Sequence, residues 1–505
     1  MNTKVIKTTI TAVLLTMISE RLPAEDWPQF RGPNCDGIYT SSQSLPVHFS
    51  DPESGPQENV AWSEPLGNGI SSPVVAAGRV FTSAMVDEDT VGLFAFDAAT
   101  GEQLWERIWD TGPLAYVGTT NCYASSTPAA DDERVYFYFT KFGMQALDAA
   151  TGEDVWHTQL PEPFFAFGWG PGTSPVLYKD MLLFCQDDDL YPALHAFDKR
   201  TGDILWRDDR LDMNVNYSQP VVCTTGGADE IVVAGTGMLI GHDPKTGERK
   251  WWAKVLLRNI KTTPVSHDGI VYVMVGSGGI AYQWLATADI VETGNSDGKL
   301  TREEIQASVK DITVPEAFFE RTFGRGDLNE DGYLEGEEID LAFMHPENFA
   351  GARFDTEGDD RNHRYLLAVR GGGHGDVTET HLVWRQQPKK VAGIPSPLVV
   401  DGRLWNILGG GLAICHDIQE GNRLWMGRVN NGGNYYASPV YGDGKIYLAG
   451  ENGYISVLEN GPSLRVLAKN DLGNDILGTP AIADGRIYIR TRKKLVCVSL
   501  KNNKG

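Results

Sequence analysis

The chain has 505 residues, 41% hydrophobic, 22% charged and 10% aromatic, a globular composition that excludes a disordered or fibrous protein. Lys and Arg number 44 against 67 Asp and Glu, and a net charge of −23 would repel nucleic acid and anionic membrane surfaces over most of the molecule. With 56 Gly and 26 Pro the chain suits a fold of many tight turns, so an all-β protein is expected.

Residues 1–24 read as a secretory signal: Lys4 and Lys7 precede the apolar run Thr8–Ile18, and small Ala24 stands before Glu25. That run is shorter than the roughly 18 apolar residues of a spanning helix, and no other stretch reaches that length. An exported protein, periplasmic or extracellular and without an integral membrane segment, is expected. No Cys directly follows the apolar run, which argues against a lipid anchor. Residues 25–59 form an N-terminal extension. The six Cys (Cys35, Cys122, Cys185, Cys223, Cys415, Cys497) lack CxxC or adjacent-pair spacing, which excludes c-type haem attachment, and buried free thiols are expected.

An internal repeat begins after the extension. Ser or Thr at or near a Pro, followed by an apolar strand, recurs at Pro73, Pro128, Pro175, Pro220, Pro264, Pro397, Pro439 and Pro480. The spacings are 55, 47, 45, 44, 133, 42 and 41 residues. A second signal, an Asp with Trp eight residues later, gives Asp97/Trp105, Asp148/Trp156, Asp198/Trp206, Asp243/Trp251, Asp376/Trp384 and Asp417/Trp425. Each unit reads as four short strands, and one such sheet cannot cover both of its own faces, so the units stack radially into an eight-bladed β-propeller. The last unit shows three strands and no Trp, whereas Val60-Ala61-Trp62 is an orphan strand before the first. Pairing the two would close the ring and remove the free edges. The propeller then occupies 60–285 and 351–500, interrupted in blade five by an insertion at 286–350. Asp-x-x-Thr-Gly is expected to make an Asx-type turn, and the Trp to fill the wedge between blades with its indole N–H on a carbonyl.

The stretches Ala95–Trp105 and Ala146–Trp156 carry Ala-x-Asp-x-x-Thr-Gly-x-x-x-Trp, which resembles the pyrroloquinoline quinone (PQQ) type of propeller repeat. More narrowly, Trp27–Asn34, Gly375–Trp384 and Asn434–Pro439 are similar to exported bacterial PQQ-like propeller proteins abundant in planctomycetes. The resemblance implies the fold over residues 26–500 and leaves function open, since propellers of this repeat include dehydrogenases and outer-membrane assembly scaffolds.

The insertion carries 16 Asp/Glu against 5 Lys/Arg. Asp327, Asn329, Asp331, the Tyr333 carbonyl, Glu335 and Glu338 have the spacing of an EF-hand calcium loop, with Gly332 at the sharp turn and flanking helices at 314–323 and 337–343. A weaker partner loop comprises Thr293, Asn295, Asp297, Lys299, Thr301 and Glu304, with Thr293 replacing the usual Asp. Leu300 and Leu334 would then face each other across a two-stranded link. Nothing in the sequence brings these loops to the propeller axis.

Residues just before each innermost strand converge on the axis of a propeller. Here they include Asn68, Asn121, Trp169, Asn216, Tyr217, Asn259, Lys261, Asn434, Tyr435, Asn474 and Asp475, a funnel of amides and aromatics suited to a protein, peptide or carbohydrate ligand. For a quinone, Trp169 and Tyr435 would stack, Lys261 would carry charge and Asp475 alone would offer a carboxylate to a metal. The expected function is therefore a non-enzymatic scaffold or ligand-binding propeller with bound Ca2+, and a PQQ-dependent alcohol or sugar dehydrogenase is the alternative. The Gly371–Gly375 run lacks the Lys-Ser/Thr of a phosphate loop and reads as a turn. His195, His242 and His416 fall in different blades and are not expected to share a zinc ion.

Overall fold

The computed structural model of the chain describes residues 26–51, 58–166, 168–255, 260–278, 295–309, 312–343, 362–429 and 432–501. The leader read at 1–24 lies outside them. The first sheet is an antiparallel meander of Val74–Ala76, Arg79–Met85, Thr90–Asp97 and Gln103–Asp110. Seven more follow, starting at Ala129–Ala130, Val176–Tyr178, Val221–Thr225, Val265–His267, Leu398–Val400, Val440–Gly442 and Ala481–Ala483. The last of these innermost strands lies against the first, so eight blades close a ring. Several inner hairpins turn through two residues of positive φ, as at Ala77-Gly78 (48° and 74°) and Asp401-Gly402 (50° and 72°). That turn matches the right-handed twist of the strands it joins. Closure is as the orphan strand foretells: Val60–Pro65 pairs antiparallel with Lys494–Ser499 as the outer strand of blade eight.

A β-bulge interrupts the pairing of the third with the outer strand in all eight blades. In the seven blades that carry it, all but blade seven, the Trp follows the bulge directly and stands opposite a small residue, such as Ala95 for Trp105 or Ala146 for Trp156. An extra residue twists and re-aims the strand, and here it aims the indole at the next blade. What it meets is the Asx turn: Asp97 Oδ1 accepts from Ala99 N at 2.9 Å and Thr100 N at 2.8 Å. The turn presents Gly101 in the left-handed region, where a Cβ would stand 2.7 Å from the Trp62 ring. The same seat joins Trp105 to Gly152, Trp156 to Gly202, Trp206 to Gly247 and Trp384 to Gly421. Each of these indoles donates to the carbonyl after the turn's Asp, at 2.9–3.2 Å. Only glycine fits, for both its φ and the ring above it.

Two Trp depart from this pattern for a visible reason. The turn facing Trp251 reads Asp376-Val377-Thr378-Glu379-Thr380 and offers no Gly. Trp251 instead lies on Gly241 of its own blade and donates to buried Glu230 Oε2 at 2.9 Å. Glu230 also accepts from Gly372 N at 2.8 Å, and Gly375–Asp376 joins blade four as a fifth, parallel strand. The Gly371–Gly375 run is thus a turn that patches the junction of blades four and five. Trp425 faces Glu459-Asn460-Gly461-Pro462, which lacks the Asp-x-x-Thr-Gly turn, and its Nε1 has no partner. All six Cys are buried free thiols.

In denaturant unfolding, Trp105→Phe should cost about 1 kcal/mol more than Trp425→Phe, because only the former indole gives up a hydrogen bond. Removing residues 25–64 should expose the edge of Lys494–Ser499 and cause aggregation on size exclusion; a monomer of unchanged melting temperature would contradict the closure.

Candidate functional site: the axial funnel

The residue before each repeat Pro lines a collar around the axis. Ser72 N donates to Thr127 Oγ1 at 3.0 Å and Thr127 N to Ser174 Oγ at 2.9 Å. After a gap, Gln219 N reaches Thr263 Oγ1 at 3.5 Å, Thr263 N donates to Ser396 Oγ at 2.9 Å and Ser396 N to Ser438 Oγ at 3.0 Å. Ser438 N then donates to Thr479 Oγ1, and Thr479 N to Ser72 Oγ, both at 2.9 Å. Seven of the eight blade junctions carry this bond; the eighth, from Ser174, meets Gln219, which has no hydroxyl.

These residues line a cavity of about 310 Å³. Its floor is Phe30, carried by the N-terminal segment that crosses the ends of the inner strands. Trp27 N donates to Val75 O at 2.9 Å, Ala130 N to Pro28 O at 2.7 Å and Leu177 N to Gln29 Oε1 at 2.6 Å. Buried Arg31 donates to Pro397 O, and Tyr39 N to Tyr441 O at 2.8 Å. Four blades are therefore tied beneath the axis by the Trp-Pro-Gln-Phe-Arg segment, and Tyr39 adds a fifth. The upper wall is Asn121, Trp169, Tyr217, Lys261 and Tyr436. The Lys261 ammonium stands 4.8 Å from the Trp169 ring centroid, and burial pushes its pKa down. Asn121 Nδ2 holds the Trp169 loop through Trp169 O at 2.5 Å and Pro171 O at 2.8 Å. Tyr217 stacks on Phe165 and leaves its buried hydroxyl without a partner.

Of the four residues singled out by sequence for the funnel, Trp169 and Lys261 meet in the cavity. Tyr435 is buried among the blade six and seven side chains, and its neighbour Tyr436 takes the lining position. Asp475 lies outside the cavity wall, 3.9 Å from Arg492, which also reaches Asn68 and Thr119 O across the rim. Asn216 is buried beneath the wall, donating to Asn214 O at 2.8 Å and Thr236 Oγ1 at 3.2 Å. Asn259 lies outside the described residues. The sequence reading missed Phe30, Tyr436 and the collar, although Ser or Thr before Pro was itself the repeat signal. His195, His242 and His416 are buried in separate blades; His242 bridges Ile231 O and Asp208 Oδ2.

The insertion borders this site, contrary to the expectation that it would keep away from the axis. Its helices Arg302–Ser308, Glu316–Gly326 and Glu337–Ala342 enclose an apolar cluster that includes Phe318, Phe319 and Phe323. That cluster continues into Ala166 and Leu190 of the blade three loops, with Trp169 at its edge. Arg321 donates to Asp189 O at 3.0 Å and Met213 O at 2.8 Å, and Asn214 Nδ2 to Phe343 O at 3.0 Å. The two loops are linked as expected, Leu300 opposite Leu334. In the second loop Asp327 accepts from Asp331 N at 3.1 Å and Gly332 N at 3.0 Å, and Asn329 Oδ1 from Asp331 N at 3.0 Å. Asp331 Oδ1 accepts from Tyr333 N at 3.3 Å, and Glu338 from Leu328 N and Glu335 N, both at 3.2 Å. Glu335 also lies 3.5 Å from Lys299, whose ammonium sits over the Tyr333 ring. In the first loop Asn295 and Asp297 hold turn N–H groups, whereas Glu304 closes a capping box on Thr301; Thr293 lies outside the described residues. Among the described residues no three acidic, His or Cys side chains converge on one point.

Asn121→Ala should free the Trp169 loop: faster amide hydrogen exchange at 168–172 and altered Trp fluorescence are expected, with stability reduced by about 1–2 kcal/mol.

No helix among the described residues is long and apolar enough to cross a membrane. A family model described as outer membrane protein assembly factor BamB matches residues 36–168, 95–319 and 375–504. The chain is 23% identical over 255 residues to the outer membrane protein assembly factor BamB of Yersinia pestis, covering 46% of this chain and 59% of that protein. It is 26% identical over 306 residues to a polyvinylalcohol dehydrogenase of Sphingopyxis sp. (strain 113P3), covering 47% of this chain and 46% of that protein. The chain thus spans about half the length of the curated relatives it matches. The crystal structure of BamB from Moraxella catarrhalis is similar in fold, with a TM-score of 0.51 at 12% identity over 88% of this chain and all of that one. With eight closed blades and a family match over most of its length, the chain belongs to the PQQ-like repeat family of the outer membrane protein assembly factor BamB.

Proposed function

We propose that this chain is an exported, non-enzymatic propeller that binds a ligand in its axial funnel or scaffolds other proteins, and that its insertion binds calcium. The make-up of the funnel wall carries this reading. Aromatic rings supply contact area, amides and hydroxyls supply orientation, and the described lining residues include one ammonium and no carboxylate. A relative named as an assembly factor supports a scaffold role. The dehydrogenase named among the relatives and the Lys261–Trp169 pair favour a second reading, a quinone enzyme. Such an enzyme needs a hard cation beside the quinone, and amides alone contribute no negative charge to hold one.

For calcium the loop supplies the right donors: Asp327, Asp331 and Glu338 as carboxylates, Asn329 as an amide oxygen, the Tyr333 carbonyl, and Glu335 at the position that often acts through water. Its backbone N–H groups already orient these oxygens, and Gly332, at φ +88°, provides the turn. A bound cation would draw the Asp327, Asp331 and Glu338 carboxylates together and stiffen the loop by neutralising them. The first loop has a shorter donor set and a Glu304 engaged by Thr301, so it would be the weaker partner.

Calorimetric titration should show calcium binding at up to millimolar metal, the range suited to extracellular sites, and Glu338→Gln should weaken it more than about tenfold while the propeller stays folded. Absence of calcium heat in the wild type would remove the calcium assignment. Protein mixed with PQQ and calcium should not reduce dye with any alcohol or aldose; turnover lost in Lys261→Met would establish the quinone reading instead.

A further inference from the structure

The collar has an unusual hydrogen-bond balance. Each of its seven hydroxyl oxygens accepts a backbone N–H from the preceding blade. A hydroxyl that accepts still has a proton to give. None of these seven protons finds an acceptor among the described residues, although none of the side chains is more than 3% exposed. Ser72, Thr127, Ser174, Thr263, Ser396, Ser438 and Thr479 therefore present a belt of buried, unspent donors to the cavity they line. Gln219 fills the eighth position, where its Oε1 is buried without a partner.

The one cation of the described wall stands at the same cavity. Lys261 makes no ion pair or hydrogen bond among the described residues; its ammonium rests on the Trp169 ring, and burial alone lowers its pKa. In a chain of net charge −23, a cavity walled by donors and one uncompensated ammonium is a local reversal of sign. Seven unspent donors set against the unpartnered Gln219 oxygen, a single positive charge and aromatic sides together select an acceptor-rich monoanion with an apolar body. A carboxylate has two oxygens and about four lone-pair sites, matched to a subset of the collar. A dianion would leave one charge uncompensated in a largely buried site.

We propose that the axial cavity binds the carboxylate of a monoanionic ligand, the collar hydroxyls donating to its oxygens and Lys261 supplying the counter-charge. This rests on the funnel being a ligand site, and is independent of calcium in the insertion. Two sources share this chemistry, a small organic acid and the free C terminus of a peptide entering end-on.

The test is calorimetry and thermal shift on the full chain with benzoate against benzamide, triglycine against triglycinamide, and sulfate. Expected are saturable binding of at least one carboxylate and a raised melting temperature, with its neutral isostere about tenfold weaker or more. Benzoate binding marks a small acid, and triglycine binding a peptide terminus. Lys261→Met should weaken the carboxylate about tenfold or more, and Lys261→Arg should restore it. Carboxylates no tighter than their amides, sulfate as tight as benzoate, or unchanged affinity in a folded Lys261→Met would overturn the proposal. Should Lys261→Met fail to fold, the acid-to-amide comparison on the wild type decides alone. Binding of the amides only would refute the carboxylate while leaving a ligand-binding funnel, whereas no binding by any probe would count against both.

Discussion

The structure depends on a hydrogen bond passed from blade to blade at the smallest radius. Seven of the eight starts donate their N–H to the hydroxyl of the next, Ser174 alone meeting Gln219, and the last returns to the first through Thr479 and Ser72. A single such bond contributes about 1 kcal/mol. Its importance is geometric: the donor and acceptor sit on neighbouring sheets, so the chain of bonds fixes their order and spacing at once. The following Pro has no N–H to leave unpaired and holds the preceding residue extended, which suits the point where the chain leaves the rim and enters the innermost strand. The oxygens that accept around the ring also line the axial cavity. The same atoms that close the fold therefore make the wall of the cavity.

At larger radius the blades are joined by an indole seated on the next blade's glycine. This joint has three parts that fail together: the bulge that aims the Trp, the Asp that shapes the turn, and the Gly that yields space. Where the Gly is missing, opposite Trp251, the indole folds back on Gly241 and Glu230 gathers the loose Gly-rich run instead. That compensated junction adjoins blade five, between whose second and third strands the insertion departs. The compensated junction and the insertion thus fall on the side of the ring that carries Trp169 and Lys261, while Trp425 marks a second irregular junction between blades six and seven.

The insertion is docked on that side by backbone-directed contacts, Arg321 to Asp189 O and Met213 O, and by a shared apolar cluster. Trp169 belongs to both the cluster edge and the funnel wall. The apolar core of the insertion and the cavity are consequently joined through the Trp169 side chain, which packs on one and lines the other.

Much of this was legible in the sequence. The period of the Pro and Asp/Trp signals fixes eight blades, and the lone strand at Trp62 with the Trp-less last unit fixes how they close. Asp-x-x-Thr-Gly encodes its turn, and the spacing from Asp327 to Glu338 encodes a loop of oxygen donors. These features are local to one repeat or one loop, so residue type and spacing suffice. The collar was visible as Ser or Thr before Pro, but its hydrogen bonding joins residues 40 or more positions apart and exists only in the closed ring. Tertiary structure also decided which of two adjacent rings faces the axis: side chains alternate along an extended segment, and the strand's entry register buries Tyr435 and exposes Tyr436 to the cavity. It drew Asp475 to Arg492, placed Phe30 as the floor and brought the insertion to the funnel mouth. The Phe30 and insertion contacts cross between blades, and the Asp475–Arg492 contact joins two turns of blade eight, so spacing along the chain carries little information about distance in space.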